Sequence, residues 1–117
     1  MISLLLIALT LLPGQSSNKR ILAVYTKNVE NAKYEKQLQL LNADKPGLTE
    51  RDLVIETYVY STKTAARFKK HNIKDAFTVT LTGKDGGEKL RETEPITLKK
   101  LYSTIDAMPM RKQEMKP

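Results

Sequence analysis

Apolar and polar positions follow two different periods along this chain, and the switches between them divide it into elements. "KRILAVYT" (Lys19–Thr26) is a short continuous run of strand formers, the pattern of a buried strand. In the next stretch the period lengthens. Tyr34, Leu38 and Leu41 recur at i, i+4 and i+7, one face of a helix, with Leu40 beside it. Asn28 is placed to cap that helix, with Glu30 in the first turn, and Pro46-Gly47 is expected to end it. "DLVIETYVY" (Asp52–Tyr60) returns to strand residues. Ser61 or Thr62 can cap a short helix, "KTAARFKKH", with Ala65 and Phe68 facing inward and Asn72 as its stop. "AFTVTLTG" alternates strictly, placing Phe77, Val79 and Leu81 on one face and threonines on the other. "EKLRET" (Glu88–Thr93) is a shorter fourth strand. Thr97 caps a last helix, where Leu98, Leu101, Ile105 and Met108 keep the helical spacing until Pro109. "RKQEMKP" (111–117) reads as a frayed charged tail.

The predicted order is β-α-β-α-β-β-α. Two strands joined through a helix should be parallel, and two joined by a tight turn antiparallel. The expectation is an α/β fold: a minimal thioredoxin-like mixed four-stranded sheet with helices on both faces.

The turn between the last two strands decides one functional question. "TGKDGGEKLRETEP" places three glycines within five residues. A phosphate loop needs Gly, four residues, then Gly-Lys-Ser/Thr, opening a helix. Counted from Gly83, the second required glycine is Glu88, and Leu90 stands where the hydroxyl should be. A dinucleotide pattern also fails. Asp85-Gly86 between two strand-like runs is a hairpin signal, so Gly83, Gly86 and Gly87 are structural turn glycines, with Gly86 or Gly87 at positive φ. No nucleotide is expected.

The first residues change the organisation. Ile2 to Leu12 is almost wholly apolar and is then broken by Pro13-Gly14. The run is far shorter than the ~20 residues that span a bilayer, and has the length of a signal-peptide apolar region. Gly14 and Ser16 suit the −3 and −1 positions of a cut after Ser16, although no Lys or Arg precedes the run. A buried first strand or an uncleaved anchor is the alternative. Residues 1–16 are therefore set apart as a leader, 17–110 as one domain and 111–117 as the tail. The expected location is periplasmic or secreted, with no membrane-spanning segment in the mature chain.

Composition then excludes chemistry. The chain has 117 residues and no cysteine, which removes thiol nucleophiles, disulfide exchange, peroxidatic chemistry and thiolate metal sites. Lys+Arg 20 against Asp+Glu 13 gives a net charge of +7, which favours anionic partners without choosing among them.

"TERDLVIE", "GKDGGEKLRETEPI" and "LYSTIDAMPMRKQEM", with the opening strand, resemble P-DUDES domains. These form the bacterial branch of the DUDES superfamily, thioredoxin-like domains of unknown function with relatives in animal extracellular-matrix and sushi-repeat proteins. The resemblance spans essentially the whole mature chain. It implies the fold and an exported location, and supplies no catalytic residue. Thioredoxin-like enzymes carry a cysteine motif at the end of the first strand. Here Thr26, Lys27 and Asn28 stand in that place, and "NIKDAFTV" carries no proline before the third strand.

Other candidates are modest. His71, the only histidine, sits where it can cap a helix C-terminus. Met108, Met110 and Met115 offer soft thioethers, but Met108 belongs to the core stripe, so no metal or cofactor is expected. Lys63, Arg67 and Lys70 share a helical face and form the first candidate patch for an anionic partner, with Lys69 and Lys74 nearby. A sparse aromatic content there argues against nucleic acid. Arg51, Arg91 and Arg111 are the second candidate set, with Arg51-Asp52 open to reading as an anion contact or as a structural ion pair. Two functions remain: a non-catalytic binding or adaptor module for a protein or acidic envelope surface, and a thiol-independent enzyme using Arg, Lys and carboxylates.

Overall fold

The computed structural model describes residues 18–116, so the leader expected over 1–16 lies outside the described residues. The chain runs β1 (Arg20–Thr26), α1 (Ala32–Asn42), α2 (Lys45–Glu50), β2 (Leu53–Val59), α3 (Ala65–Lys70), β3 (Phe77–Thr82), β4 (Glu88–Glu92), α4 (Leu98–Asp106) and α5 (Pro109–Glu114). The strands form one four-stranded sheet in the order β2-β1-β3-β4. β1 is parallel to β2 and antiparallel to β3, and β3 is antiparallel to β4, which is the expected mixed topology.

Alternation across the sheet explains its two unequal covers. Leu22 and Val24 of β1 meet Val79 and Leu81 of β3 and Leu53 of β2 on one face. Tyr34 and Leu41 of α1, Leu48 of α2, and Leu101 and Ile105 of α4 close that face into the main core. The other face is smaller: Ala23 and Tyr25 lie under Phe68 of α3 and Ile73, with Tyr58 alongside. Tyr25 stacks on Tyr58 at 5.2 Å and meets Phe68 edge-on at 5.3 Å, geometries that favour aromatic pairs beyond simple burial.

Several local expectations are corrected. Asn28 does not cap α1. Its side chain accepts from the Glu30 amide in a preceding turn, and Asn31 caps the helix by accepting from Lys33 and Tyr34. Pro46-Gly47 does not end the helical unit but lies inside the first turn of α2, where a missing N–H costs nothing and Asp44 caps the Gly47 amide. A Cβ on Gly47 would run into the Asp44 carboxylate and the Tyr102 hydroxyl, so any larger residue there must displace the side chains that cap α2. α3 starts at Ala65, leaving Lys63 in the turn before it. Pro109, read as a stop, is the first residue of α5. The segment read as a frayed tail is thus largely helical, and Arg111 within it is only 3% exposed. Gln37, a polar residue among core positions, is fully buried because its amide exchanges two hydrogen bonds with the Ile96 backbone. Other expectations stand: Thr97 caps α4, Asn72 ends the α3 unit at φ 57, and Gly86 takes φ 86 in the β3–β4 turn.

Candidate binding site

The two ends of the sheet are built differently. At the end where β1 and β2 begin, carboxylates and cations interlock. The Arg20 guanidinium, wholly buried, donates to both oxygens of Glu114 at 3.2 and 3.1 Å and to the Arg51 carbonyl at 2.8 Å. Lys84 bridges Glu114 at 2.7 Å and Asp52 at 2.8 Å. Arg51 donates to both oxygens of Asp106 at 3.1 and 3.0 Å and lies 3.7 Å above the Tyr102 ring. Arg111 donates to Asp106 and to Glu50, each at 2.9 Å. These bonds tie α5 to β1, to the α2–β2 junction and to the hairpin.

Electrostatics follows from that geometry. Burial would raise the Glu114 carboxyl, but the bonds from Arg20 and Lys84 outweigh it and hold the group at about 2. The Arg51 bond draws Asp106 below its ordinary value, and Lys84 does the same for Asp52. Burial pulls Lys84 down, yet its two carboxylates leave it raised. Each of these groups is pushed away from neutrality, the reverse of what proton transfer near pH 7 requires.

The opposite end, at the carboxyl termini of β1 and β2, holds the place of a thioredoxin-type active site. Thr26 is fully buried, its hydroxyl donating to the Asn28 carbonyl at 2.8 Å and accepting from the Asn28 amide at 3.2 Å. The loop is thus closed on itself by hydroxyl and amide groups. A depression of about 420 Å³ between the start of α1 and Asp75-Ala76 adjoins it. Lys33, on its wall, is spent on Glu94 at 2.6 Å.

Beside this depression lies a groove of about 500 Å³ walled by Lys27, Lys69 and Lys74, over a floor of Tyr60, Phe68 and Ile73. The Tyr60 ring stands edge-on to Phe68 at 5.1 Å and remains half exposed. Lys27 is the residue directly after β1 and donates to the Lys74 carbonyl at 3.1 Å. From Tyr60 to Lys74 the sequence carries five Lys or Arg and no carboxylate. None of the ion pairs among the described residues involves Lys27, Lys63, Lys69, Lys70 or Lys74.

The structure separates the residues singled out from sequence. Lys63 and Lys70 are exposed with free charges, beside Lys69. Arg67 turns back over the Tyr58 ring at 4.2 Å and lies 3.7 Å from Glu56, so its charge is engaged within the fold. The Tyr58 hydroxyl, donating to Glu56 at 2.6 Å, is raised by burial and then by that bond. Arg91 holds Glu88 at 2.9 Å and donates to the His71 carbonyl, closing the end of α3. Arg51 and Arg111 belong to the ion-pair network. His71 sits against Tyr25, and burial followed by the charges of Arg67, Lys70 and Arg91 lowers it, keeping it neutral. Gly83 and Gly87 close the hairpin through a 2.9 Å backbone bond, and Asp85 accepts from the Gly87 amide. Sequence reading missed Lys27 and Tyr60. The available signal was their position at the ends of parallel strands, where open α/β sheets place ligands.

A family model described as "Domain of unknown function (DUF4174)" matches residues 11–114. No curated protein matches the chain. Among solved structures, the reduced 2-Cys peroxiredoxin of Plasmodium vivax superposes with a TM-score of 0.66 at 10% identity, over 83% of this chain and 81% of that one. At that identity the likeness shows a thioredoxin-like fold and no shared chemistry.

Proposed function

The chain belongs to the DUF4174 family of domains of unknown function, and on that premise we propose that it is a P-DUDES-type exported binding module, non-catalytic, whose α3 side meets an acidic protein or envelope surface. One observation carries the reading. Lys27, Lys63, Lys69, Lys70 and Lys74 form no ion pair among the described residues, and Lys27, Lys69 and Lys74 wall an aromatic groove. Unpaired like charges on one face raise the local potential and attract a counter-surface. One further point supports a binding role over a thiol-independent enzyme. The lowered carboxylates Glu114, Asp106 and Asp52 are structural partners of Arg20, Arg51 and Lys84, held in their charged forms.

The test is Lys63→Glu, Lys69→Glu and Lys70→Glu together, with capture from the native envelope as readout. All three side chains are exposed, so the melting temperature should barely move. Capture should fall at least tenfold, and wild-type capture should weaken as salt rises. Unchanged capture at low salt would remove the α3 surface from consideration.

A further inference from the structure

The sheet has two edges, and only one is protected against pairing. β4 is five residues long, carries Glu88, Lys89, Arg91 and Glu92, and departs from regular register opposite Leu81 and Thr82. Charge, shortness and irregularity are the usual means of blunting an edge. β2 has none of them. It runs seven residues, "LVIETYV", with no proline, no bulge and one charge, Glu56.

The direction of its backbone groups follows from two bonds. Arg20 N–H donates to the Asp52 carbonyl, and Tyr60 N–H donates to the Thr26 carbonyl, each at 2.9 Å. In a parallel pair the bonding residues of one strand alternate. Asp52, Val54, Glu56, Tyr58 and Tyr60 therefore face β1, and Leu53, Ile55 and Thr57 turn their N–H and C=O outward. Farther along, Thr64 already caps the Val59 carbonyl at 2.7 Å, which limits the open stretch to these three residues. Along the same edge runs an apolar groove of about 290 Å³ between β2 and the helices, lined by Leu38, Leu41, Leu48, Leu53 and Ile55, with Lys45 as its single charged residue. An edge with free backbone groups beside a groove that accepts alternate side chains is the geometry of strand addition.

We propose that this edge binds an extended segment of a partner protein, with aliphatic residues at alternate positions and a carboxylate that meets Lys45. A second copy of the chain suits the edge poorly. Each chain carries +7, which opposes the close approach of two copies along this edge. The acidic preference rests on the binding-module reading above; the strand pairing does not.

The test uses the protein and two short synthetic peptides that alternate valine with threonine, one with aspartate and one with lysine in place of a terminal valine, so that the charge lies on the groove face with Lys45. The acidic peptide should slow hydrogen exchange of the Leu53, Ile55 and Thr57 amides, and the lysine peptide should bind at least tenfold more weakly. Thr57→Pro deletes an outward N–H without breaking a β1–β2 bond and should weaken binding tenfold or more at nearly unchanged melting temperature. Lys45→Glu should lower affinity for the acidic peptide similarly, and it keeps the test decisive if the proline variant does not fold. The triple α3 reversal should leave this protection intact, which separates the two surfaces. Binding without protection of β2, equal binding of both peptides, or a β2-mediated dimer in sedimentation would each overturn the proposal.

Discussion

Replacing Glu114 by glutamine tests the ion-pair network at its centre. The substitution keeps the shape of the side chain and removes its charge. It leaves Arg20, whose side chain is 1% exposed, with a neutral partner, and Lys84 with Asp52 alone. Folding draws the Glu114 carboxyl from 4.5 to about 2. At 1.36 kcal/mol per pH unit this is worth about 3 kcal/mol at pH 7. Arg20 is buried but the Glu114 side chain is 25% exposed, so solvent screening makes about 3 kcal/mol an upper figure.

The sign of the pH dependence is fixed by the direction of the shift. A carboxyl depressed on folding stabilises above its unfolded value and loses that contribution as pH falls through the folded one. The deficit of the variant should thus be up to about 3 kcal/mol at pH 7, shrink to about half of that at pH 3, and vanish below about pH 2. Urea unfolding followed by circular dichroism at each pH gives these numbers, and the melting temperature at pH 7 should drop with the lost stability. A loss under about 1 kcal/mol at pH 7, or one equal at pH 7 and pH 3, would refute the assignment of Glu114 as a charged structural partner.

The remaining expectations are narrower. Lys33→Gln breaks an exposed pair with Glu94, side chains 46% and 69% exposed, and should cost under about 1 kcal/mol by the same unfolding assay, the contrast that separates buried from surface pairs. Gly86→Val should cost about 1 kcal/mol or more through backbone strain alone, since a Cβ there meets nothing within 4 Å, and a calorimetric ATP titration should show no binding before or after. Gly47→Ala should destabilise more than an exposed-helix glycine replacement, because the added carbon meets Asp44 and Tyr102. Insulin-reduction and peroxide-consumption assays should read background, and under the proposed export the intact mass should correspond to a chain starting near Ser17.

What was legible in the sequence was whatever local periodicity encodes. The Phe77-Val79-Leu81 alternation and the Leu98-Leu101-Ile105 spacing place strands and helices because each pattern is generated within a few residues. Proline was ambiguous for a physical reason. Its missing N–H suits both the residue after a helix and the first turn of the next, so Pro46 and Pro109 read as stops while each lies in a first turn. Pairing across the fold was illegible. Arg51 finds Asp106 at a separation of 55 residues, and Arg111 finds Glu50 at 61. No spacing rule connects them, so buried structural cations looked like surface binding residues. Gln37 hid for the same reason, its partners lying 59 residues away.

That long-range pairing also determines where this protein has charge to offer. A net of +7 spread evenly would make every face weakly basic. Instead Glu50, Asp52, Asp106 and Glu114 are drawn to one end to satisfy Arg20, Arg51, Lys84 and Arg111, three of which come from segments that must be held together for α5 to dock. Carboxylates spent there are not available to Lys63, Lys69 and Lys70, which form no ion pair among the described residues, while Arg67 of α3 is met by Glu56. A change that weakens the network, such as Glu114→Gln, acts on stability; a change on α3 acts on the exposed potential. If the two surfaces are related as argued, these classes of variant should separate cleanly, the first lowering the melting temperature without changing salt-dependent capture by the folded fraction, the second doing the reverse.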